Sequence, residues 1–530
     1  MKNIFKISSV ALILGLSLGS CSDYLDVNDN PNVPSASTAT PELTLPAAQE
    51  MTADQLTDNM NQLGNVIIPN WSNNIEQFIF FQNESKYIMS TGFYAEIWEE
   101  LYWANANYDL VRNVSVSGTH DNYVAIAKIM QSFNFQYIVD LYGDAPYTEA
   151  FMRDANLTPA FDSAESIYRN LVTEIDEAIV LINNAPAEAI DPGSTDIMLN
   201  GDMNMWIKFA NTLKLRILLR ESQRTGGSDP AYVATQITAM AGAQFLGAGD
   251  NVYANPGYSN SSTAKQNPFF AQFGEDINGG ATPSNGATKA NDYTMDYLKN
   301  TNDDRYTRIY APIADGTYIG MTQDAIDLDG DNVVPFSGLG DGLLTDSEQS
   351  AIIFTAAESL LLQAEAAEFY GLAGSAQTFY EQAIVESYRF LEAGYAHVDY
   401  RDGIMDLDAP FGEPDPETTA GELVAYTLEL AQNYYNQPGV NNVNWAASGN
   451  KLEAIINQKW VALNGINGIE SWIEHTRTGY PLNLPIVASA SSTTRPIRLL
   501  YPGSEIQSNS QNVPSQVVSE AFSSPVFWNN

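Results

Sequence analysis

The chain holds one cysteine, Cys21, in 530 residues. That excludes an internal disulfide and a thiolate metal cluster. Histidine is nearly as scarce. His120, His397 and His475 stand far apart without metal-ligand spacing, which argues against histidine-based zinc chemistry. Basic residues number 24 against 64 acidic ones, a net charge of −40. Nucleic-acid binding draws on Lys and Arg neutralising phosphates, so this balance argues against that partner. It also disfavours polyanionic ligands unless a local basic patch overrides the field. The body of the chain has no apolar run of 18 residues, so nothing there crosses a bilayer as a helix. Beyond the apolar run near the N-terminus, no Gly-x-Ser-x-Gly elbow occurs, and no zinc motif or phosphate loop occurs either.

What is present fits a large globular protein: 44% hydrophobic and 11% aromatic residues. Residues 1–20 read as a lipoprotein signal peptide. Lys2 and Lys6 form its basic start, and the apolar run from Ile7 to Leu18 is too short to span a bilayer. Leu18-Gly19-Ser20-Cys21 matches a bacterial lipobox, in which Cys21 is acylated and becomes the new N-terminus. Each buried CH₂ of an acyl chain contributes about 0.8 kcal/mol, so several chains anchor firmly. Residues 21–45, rich in Asp, Asn, Pro, Ser and Thr, read as a lipidated tether.

Beyond the tether, apolar residues recur at three and four. The periodicity predicts helices near 46–63, 86–112, 121–141, 164–183, 202–222, 230–241, 350–370, 375–392, 418–435 and 451–464. The clearest pair flanks Gly371-Leu372-Ala373-Gly374. Leu360, Ala364 and Ala367 precede the hinge, and Ala376, Tyr380 and Ala383 follow it, with the large and small spacing of a tetratricopeptide repeat. Trp206, Phe209, Ala210 and Leu213 give a second first-helix pattern. The fold class is therefore mainly α, built of tetratricopeptide-like helix pairs. Residues 46–242 and 350–480 are the two helical parts. Residues 243–349, dense in Gly, Asn, Asp, Ser and Tyr, read as a loop-rich, ligand-facing insertion with a few short strands, for example 308–313. Residues 481–530 form a tail, strand-like over 496–501.

These residues carry a resemblance to the SusD/RagB family of nutrient-binding outer-membrane lipoproteins of the Bacteroidetes. It covers nearly the whole chain and rests on several motifs together. They are the lipobox with Asp26-Val27-Asn28-Asp29-Asn30-Pro31-Asn32, then Asp140-Leu141-Tyr142-Gly143-Asp144-Ala145-Pro146-Tyr147, then Phe209-Ala210-Asn211-Thr212-Leu213-Lys214-Leu215-Arg216. Further along come Ala364-Glu365-Ala366-Ala367, Gln458-Lys459-Trp460-Val461-Ala462-Leu463 and Arg477-Thr478-Gly479-Tyr480-Pro481. Two departures are visible. Asp303-Asp304-Arg305 replaces the family's frequent Asp-Pro-Arg, and Thr476-Arg477 replaces a double Arg. The resemblance implies four tetratricopeptide-like units, a place on the outer face of the outer membrane, and a SusC-like TonB-dependent transporter as partner. It implies no catalytic residues and no required cofactor.

Sugar capture needs an aromatic face for the apolar side of a pyranose, and planar amides or carboxylates for paired hydroxyls. Trp71-Ser72-Asn73-Asn74-Ile75-Glu76-Gln77 supplies both, so Trp71, Asn74 and Gln77 rank first as ligand-binding residues. Tyr258 and Tyr318 from the central loops are expected to form the opposite wall. Trp98, Trp206 and Trp460 lie on helical stripes and belong to the core. Lys265, Lys289 and Lys299 are scattered, so the expected ligand is a neutral oligosaccharide or polysaccharide. Asp327-Leu328-Asp329-Gly330-Asp331 resembles the start of a calcium loop, with oxygen ligands at alternate positions. Gly338 stands where an EF-hand needs Glu, so only a looser structural calcium site through Asp327, Asp329 and Asp331 remains as a reading. Two rival functions stay open. One is peptide binding in a repeat groove. The other is glycoside hydrolysis, which needs only two carboxylates about 5–5.5 Å apart in a retaining site.

Overall fold

A computed structural model describes residues 39–73, 80–224, 230–323, 328–329, 332–333, 335–393 and 420–529. The chain opens with α1 (Pro41–Gln55), which begins five residues earlier than the periodicity predicts and runs into a π-helical turn, Leu56–Met60, and then α2 (Asn61–Ile67). Pro41 at the first helical position fixes that earlier start, since its φ suits a helix and its missing N–H has no partner to lose. Strand β1 (Trp71–Asn73) follows, then α3 (Ala95–Val114), α4 (Asp121–Tyr142), α5 (Ala164–Asn184) and α6 (Met203–Arg220). Helix α3 starts nine residues later than predicted. Phe81, Tyr87 and Tyr94 adopt positive φ of 52–55°, a left-handed conformation that no α-helix carries.

Helices α3 with α4, and α5 with α6, stack as successive pairs. The N-termini of α5 and α6 are closed by side chains: Ser163 accepts from the Ser166 N–H, and Asp202 from those of Asn204 and Met205. Between α4 and α5, Gly143 takes φ +84°, and strand β2 (Ala145–Pro146) pairs with β3 (Phe161–Asp162). The motif at 140–147 is thus a helix-to-turn joint.

After α7 (Pro230–Ala239) the central region is built from short pieces, including strand β4 (Val252–Ala254), helix α8 (Pro268–Phe273), strand β5 (Thr288–Ala290) and helix α9 (Asp292–Asn300). Its strands pair outward. β5 runs antiparallel to β1, and β4 to β8 (Ala351–Phe354). Residues 306–309 form a helical turn rather than the start of a strand, and only Tyr310 bridges, to Leu339. β6 (Leu328–Asp329) and β7 (Asn332–Val333) form a two-stranded hairpin.

The second helical part holds α10 (Ala356–Phe369), α11 (Ala376–Phe390), α12 (Ala420–Tyr435), α13 (Lys451–Ala462) and α14 (Gly468–Thr478). Leu360, Leu361 and Ala364 pack on Tyr380, Ala383 and Ile384, as the repeat spacing predicts. Gly371 and Gly374, at φ +77° and +128°, make the hinge. Helix α14 was not expected. It crosses α2 so closely that a Cβ on Gly64 would fall 1.9 Å from the Gly468 carbonyl carbon. Asn61 and Asn65 stitch the crossing to the backbone of Gly465 and Gly468 at 2.8–3.0 Å. In the tail, 496–501 forms no strand. It has single backbone bonds instead, Ile497 to Ala521 and Leu499 to Leu141.

Candidate functional site

Trp71 does not offer a face to solvent. It is fully buried, its ring 5.0 Å from Phe273 and 6.4 Å from Phe269, because β1 pairs with β5 and turns the indole onto α8. Among the described residues its Nε1–H finds no partner. It is a core residue rather than the ligand contact expected from the sequence. Asn74 and Gln77 lie outside the described residues, as do Cys21, Asp327 and Asp331. Asp329 stands opposite Asn332 in the β6–β7 hairpin. Among the described residues no group of three or more His, Cys, Asp or Glu is placed to hold a metal. Tyr318 is half-buried edge-on to Tyr306 at 5.0 Å, and its carbonyl accepts from Lys299 Nζ at 2.5 Å. Tyr258 has different company, so the two tyrosines do not form the single wall expected of them.

Tyr258 sits beside Glu50 and Asp54 of α1. Burial, then those two carboxylates, push its hydroxyl above the usual range, and the oxygen is buried without a hydrogen-bond partner. Glu50, Asp54 and Asp58 follow one another at four-residue spacing along α1 and the π-turn. Such π-turns recur at functional sites because the extra residue re-aims side chains. Burial, and then the Asp54 charge, raise Asp58 to about 7. Glu50 and Glu100 are also raised, by burial first and then by neighbouring carboxylates, Asp54 among them. Among the described residues none of these four acids has a basic partner.

Helix α3 forms the other side. Its buried stripe is Ile97, Trp98, Leu101, Ala104, Asn105, Tyr108 and Val111. Trp103 falls off that stripe and is 56% exposed. One turn on, Asn107 donates to Met51 Sδ at 3.5 Å, which sets this flank of α3 against α1. The approach to α3 is strained but pinned. Tyr94, at φ +52°, donates to Glu84 Oε1 at 2.7 Å and accepts from Gln62 Nε2 at 2.5 Å. Backbone strain of this kind, costing about 1–3 kcal/mol per residue, persists where surrounding structure holds it and clusters at binding sites. The result is a shelf with an exposed indole, a tyrosine, amides and carboxylates that have no basic partner among the described residues: apolar stacking area beside hydroxyl-binding groups. Trp103 escaped the sequence reading, although a helical wheel of α3 places it opposite the core.

The model of a family described as SusD-like, starch-binding and associating with the outer membrane, matches residues 31–502. The chain belongs to the SusD-like family. Solved structures agree on the fold. A chitin-binding protein matches at TM-score 0.69 and 23% identity, over 92% of this chain and 100% of that one. A SusD/RagB family protein of Bacteroides thetaiotaomicron matches at 0.68 and 20%, over 92% and 99%. A chitin-binding SusD homologue of Flavobacterium johnsoniae matches at 0.66 and 21%, over 91% and 98%. A search of curated sequences finds no match. Membership makes this SusD-like chain a nutrient-binding protein associated with the outer membrane, in a family of binding proteins rather than enzymes.

Proposed function

We propose that this SusD-like protein captures a neutral oligosaccharide on the shelf around Trp103 and delivers it to a SusC-like TonB-dependent transporter, held at the cell surface by acyl chains on Cys21. The observation that carries the ligand reading is Trp103, an exposed indole flanked by the Asn107 amide and by carboxylates that lack basic partners among the described residues. Such a surface stacks on a pyranose, bonds its hydroxyls and repels anions. The delivery step is supported by family membership, and by the fact that no helix of the described residues is long and apolar enough to cross a membrane. The anchor is supported by the lipobox that ends on the only cysteine. Loss of clickable fatty-acid label on Cys21→Ala is the expected readout, and a variant that stays labelled argues against it. The shelf performs no chemistry in this reading.

Covering about 60–100 Å² of aromatic face contributes roughly 1.5–3 kcal/mol. Trp103→Ala should therefore weaken glycan binding by about tenfold to a hundredfold. Calorimetry against a panel of neutral glycans, anionic glycans and peptides measures this, with circular dichroism as the folding control. Unchanged affinity removes Trp103 from the site. A peptide that binds more tightly than every neutral glycan, and in a Trp103-dependent way, overturns the ligand class.

A further inference from the structure

A cavity of about 490 Å³ opens on the other flank of α3, between α3, α4 and α5. Asp109, Arg112 and Asn113 of α3 line it, six to ten residues beyond Trp103. At 1.5 Å per residue that is about 9–15 Å along the helix. Its size falls within the roughly 300–1,000 Å³ of small-molecule sites.

The cavity is preformed. The loop over it is fixed by Asp162, which accepts from the backbone N–H of Tyr147 at 3.2 Å and of Thr148 at 2.8 Å. Phe135 meets Tyr147 edge-on at 4.7 Å, with Phe151 at 6.2 Å, so aromatic rings panel one side. The polar side is electrically matched. Lys128 Nζ bonds Glu174 at 2.8 Å and Glu177 at 2.7 Å. Arg112 bonds Gln131 Oε1 at 2.7 Å and meets Glu174 at 3.2 Å. Both cations are already neutralised, so an anion gains little by entering. Arg112 still has donors beyond these two contacts, and Asn170, whose Oδ1 accepts from Tyr147 Oη at 2.5 Å, keeps its amide nitrogen to donate. Aromatic panels beside directional donors and acceptors, with no net charge to satisfy, suit a neutral sugar.

We propose that this cavity is a second saccharide subsite, and that a long oligosaccharide passes over Trp103 on the crest of α3 to occupy shelf and cavity together. This rests on the shelf reading above. The probes are maltose, maltoheptaose, chitobiose, chitohexaose and, as anion, trigalacturonate, applied to the mature protein by crystal soaking and calorimetry. A neutral sugar should be seen in the cavity, and the longer member of its series should bind at least tenfold more tightly than the disaccharide. Asn170→Ala and Phe151→Ala should each cut that advantage by fivefold or more. Asn170 is exposed on α5, so its variant keeps the test valid should Phe151→Ala disturb the loop. A cavity empty with every probe overturns the inference whether or not the shelf is occupied. Preferential occupancy by trigalacturonate, or an undiminished chain-length advantage in Asn170→Ala, overturns it too. Sugar in the cavity with none on the shelf would instead sink the Trp103 reading and the joint occupancy with it, and leave the cavity as a saccharide site by itself.

Discussion

Two sets of charges in this protein are handled in opposite ways. In the interior, Arg216, Arg220, Lys459 and Arg477 mesh with Asp140, Glu358, Glu365, Glu470 and Glu474. Arg220 meets Asp140 at 3.1 Å and Glu470 at 2.7 Å, and also bonds Glu474. Arg477 joins Glu365 at 2.7 Å and Glu474 at 2.6 Å. Burial alone would push Glu474 upward, yet Arg477, Lys459 and Arg220 hold it well below the usual carboxylate range. Asp140 moves the other way, raised by burial to about 6 against the pull of Arg220. On the shelf, Glu50, Asp54, Asp58 and Glu100 have no cation among the described residues, and burial with mutual repulsion raises Glu50, Asp58 and Glu100. The interior set draws on α4, α6, α10, α13 and α14, so it ties the two helical parts together. Balanced burial marks structure, whereas charge left unbalanced at a groove marks a surface kept for something else.

The largest effect that could break this contrast is Arg220→Ala. It strands Asp140, Glu470 and Glu474 without their shared cation, and removing one partner of a buried pair costs about 3–5 kcal/mol. Chemical denaturation should show a loss of that size. By contrast, Trp103→Ala, the shelf variant, should change stability by no more than about 0.5 kcal/mol, as surface substitutions do. A loss under about 1 kcal/mol for Arg220→Ala would mean that the interior network is no more structural than the shelf.

The interior was the legible part of the sequence. Motifs quoted for the family resemblance turn out to hold Asp140, Arg216, Glu365, Lys459 and Arg477, all members of the network. Asp303 and Arg305 behave likewise, paired at 2.6 Å beneath Tyr388 and Tyr434. Helices α10 and α11 were legible because repeat spacing and two hinge glycines agree. Helix α14 was not, because Asn464, Gly465, Asn467 and Gly468 resemble a loop while Asn467 in fact caps the helix. The site was hardest. Trp71, in a polar stretch, looks exposed until strand pairing with residues 288–290 turns it inward. That pairing spans more than 200 residues, and no local pattern announces it. Trp103 hid for the opposite reason, as one aromatic in a helix already rich in them.

The smaller test concerns Asp58 and sharpens the contrast from the shelf side. Its ordinary pKa is 3.8, and burial, with Asp54 beside it, raises it to about 7 in the folded protein. Between those values the folded state holds a proton that the unfolded state has released. Stability attributable to this group therefore falls as pH rises from about 4 to about 7 and stays low above that. Asp58→Asn keeps the shape and removes the charge, so it should act like a permanently protonated Asp58. At pH 8 the variant should be more stable than the parent: 1.36 kcal/mol per pKa unit sets an upper bound of about 4 kcal/mol, and solvent screening of the half-buried Asp58 lowers the expected gain to about 1–3 kcal/mol. At pH 4, where the native Asp58 already carries its proton, the difference should nearly vanish. Urea denaturation of both proteins at the two pH values decides it. An equal difference at both would show that the carboxyl titrates normally, and that water or a counter-charge reaches the π-turn. A variant less stable at pH 8 would show that ionised Asp58 holds the native fold together, which would move it from the shelf set of charges to the interior one.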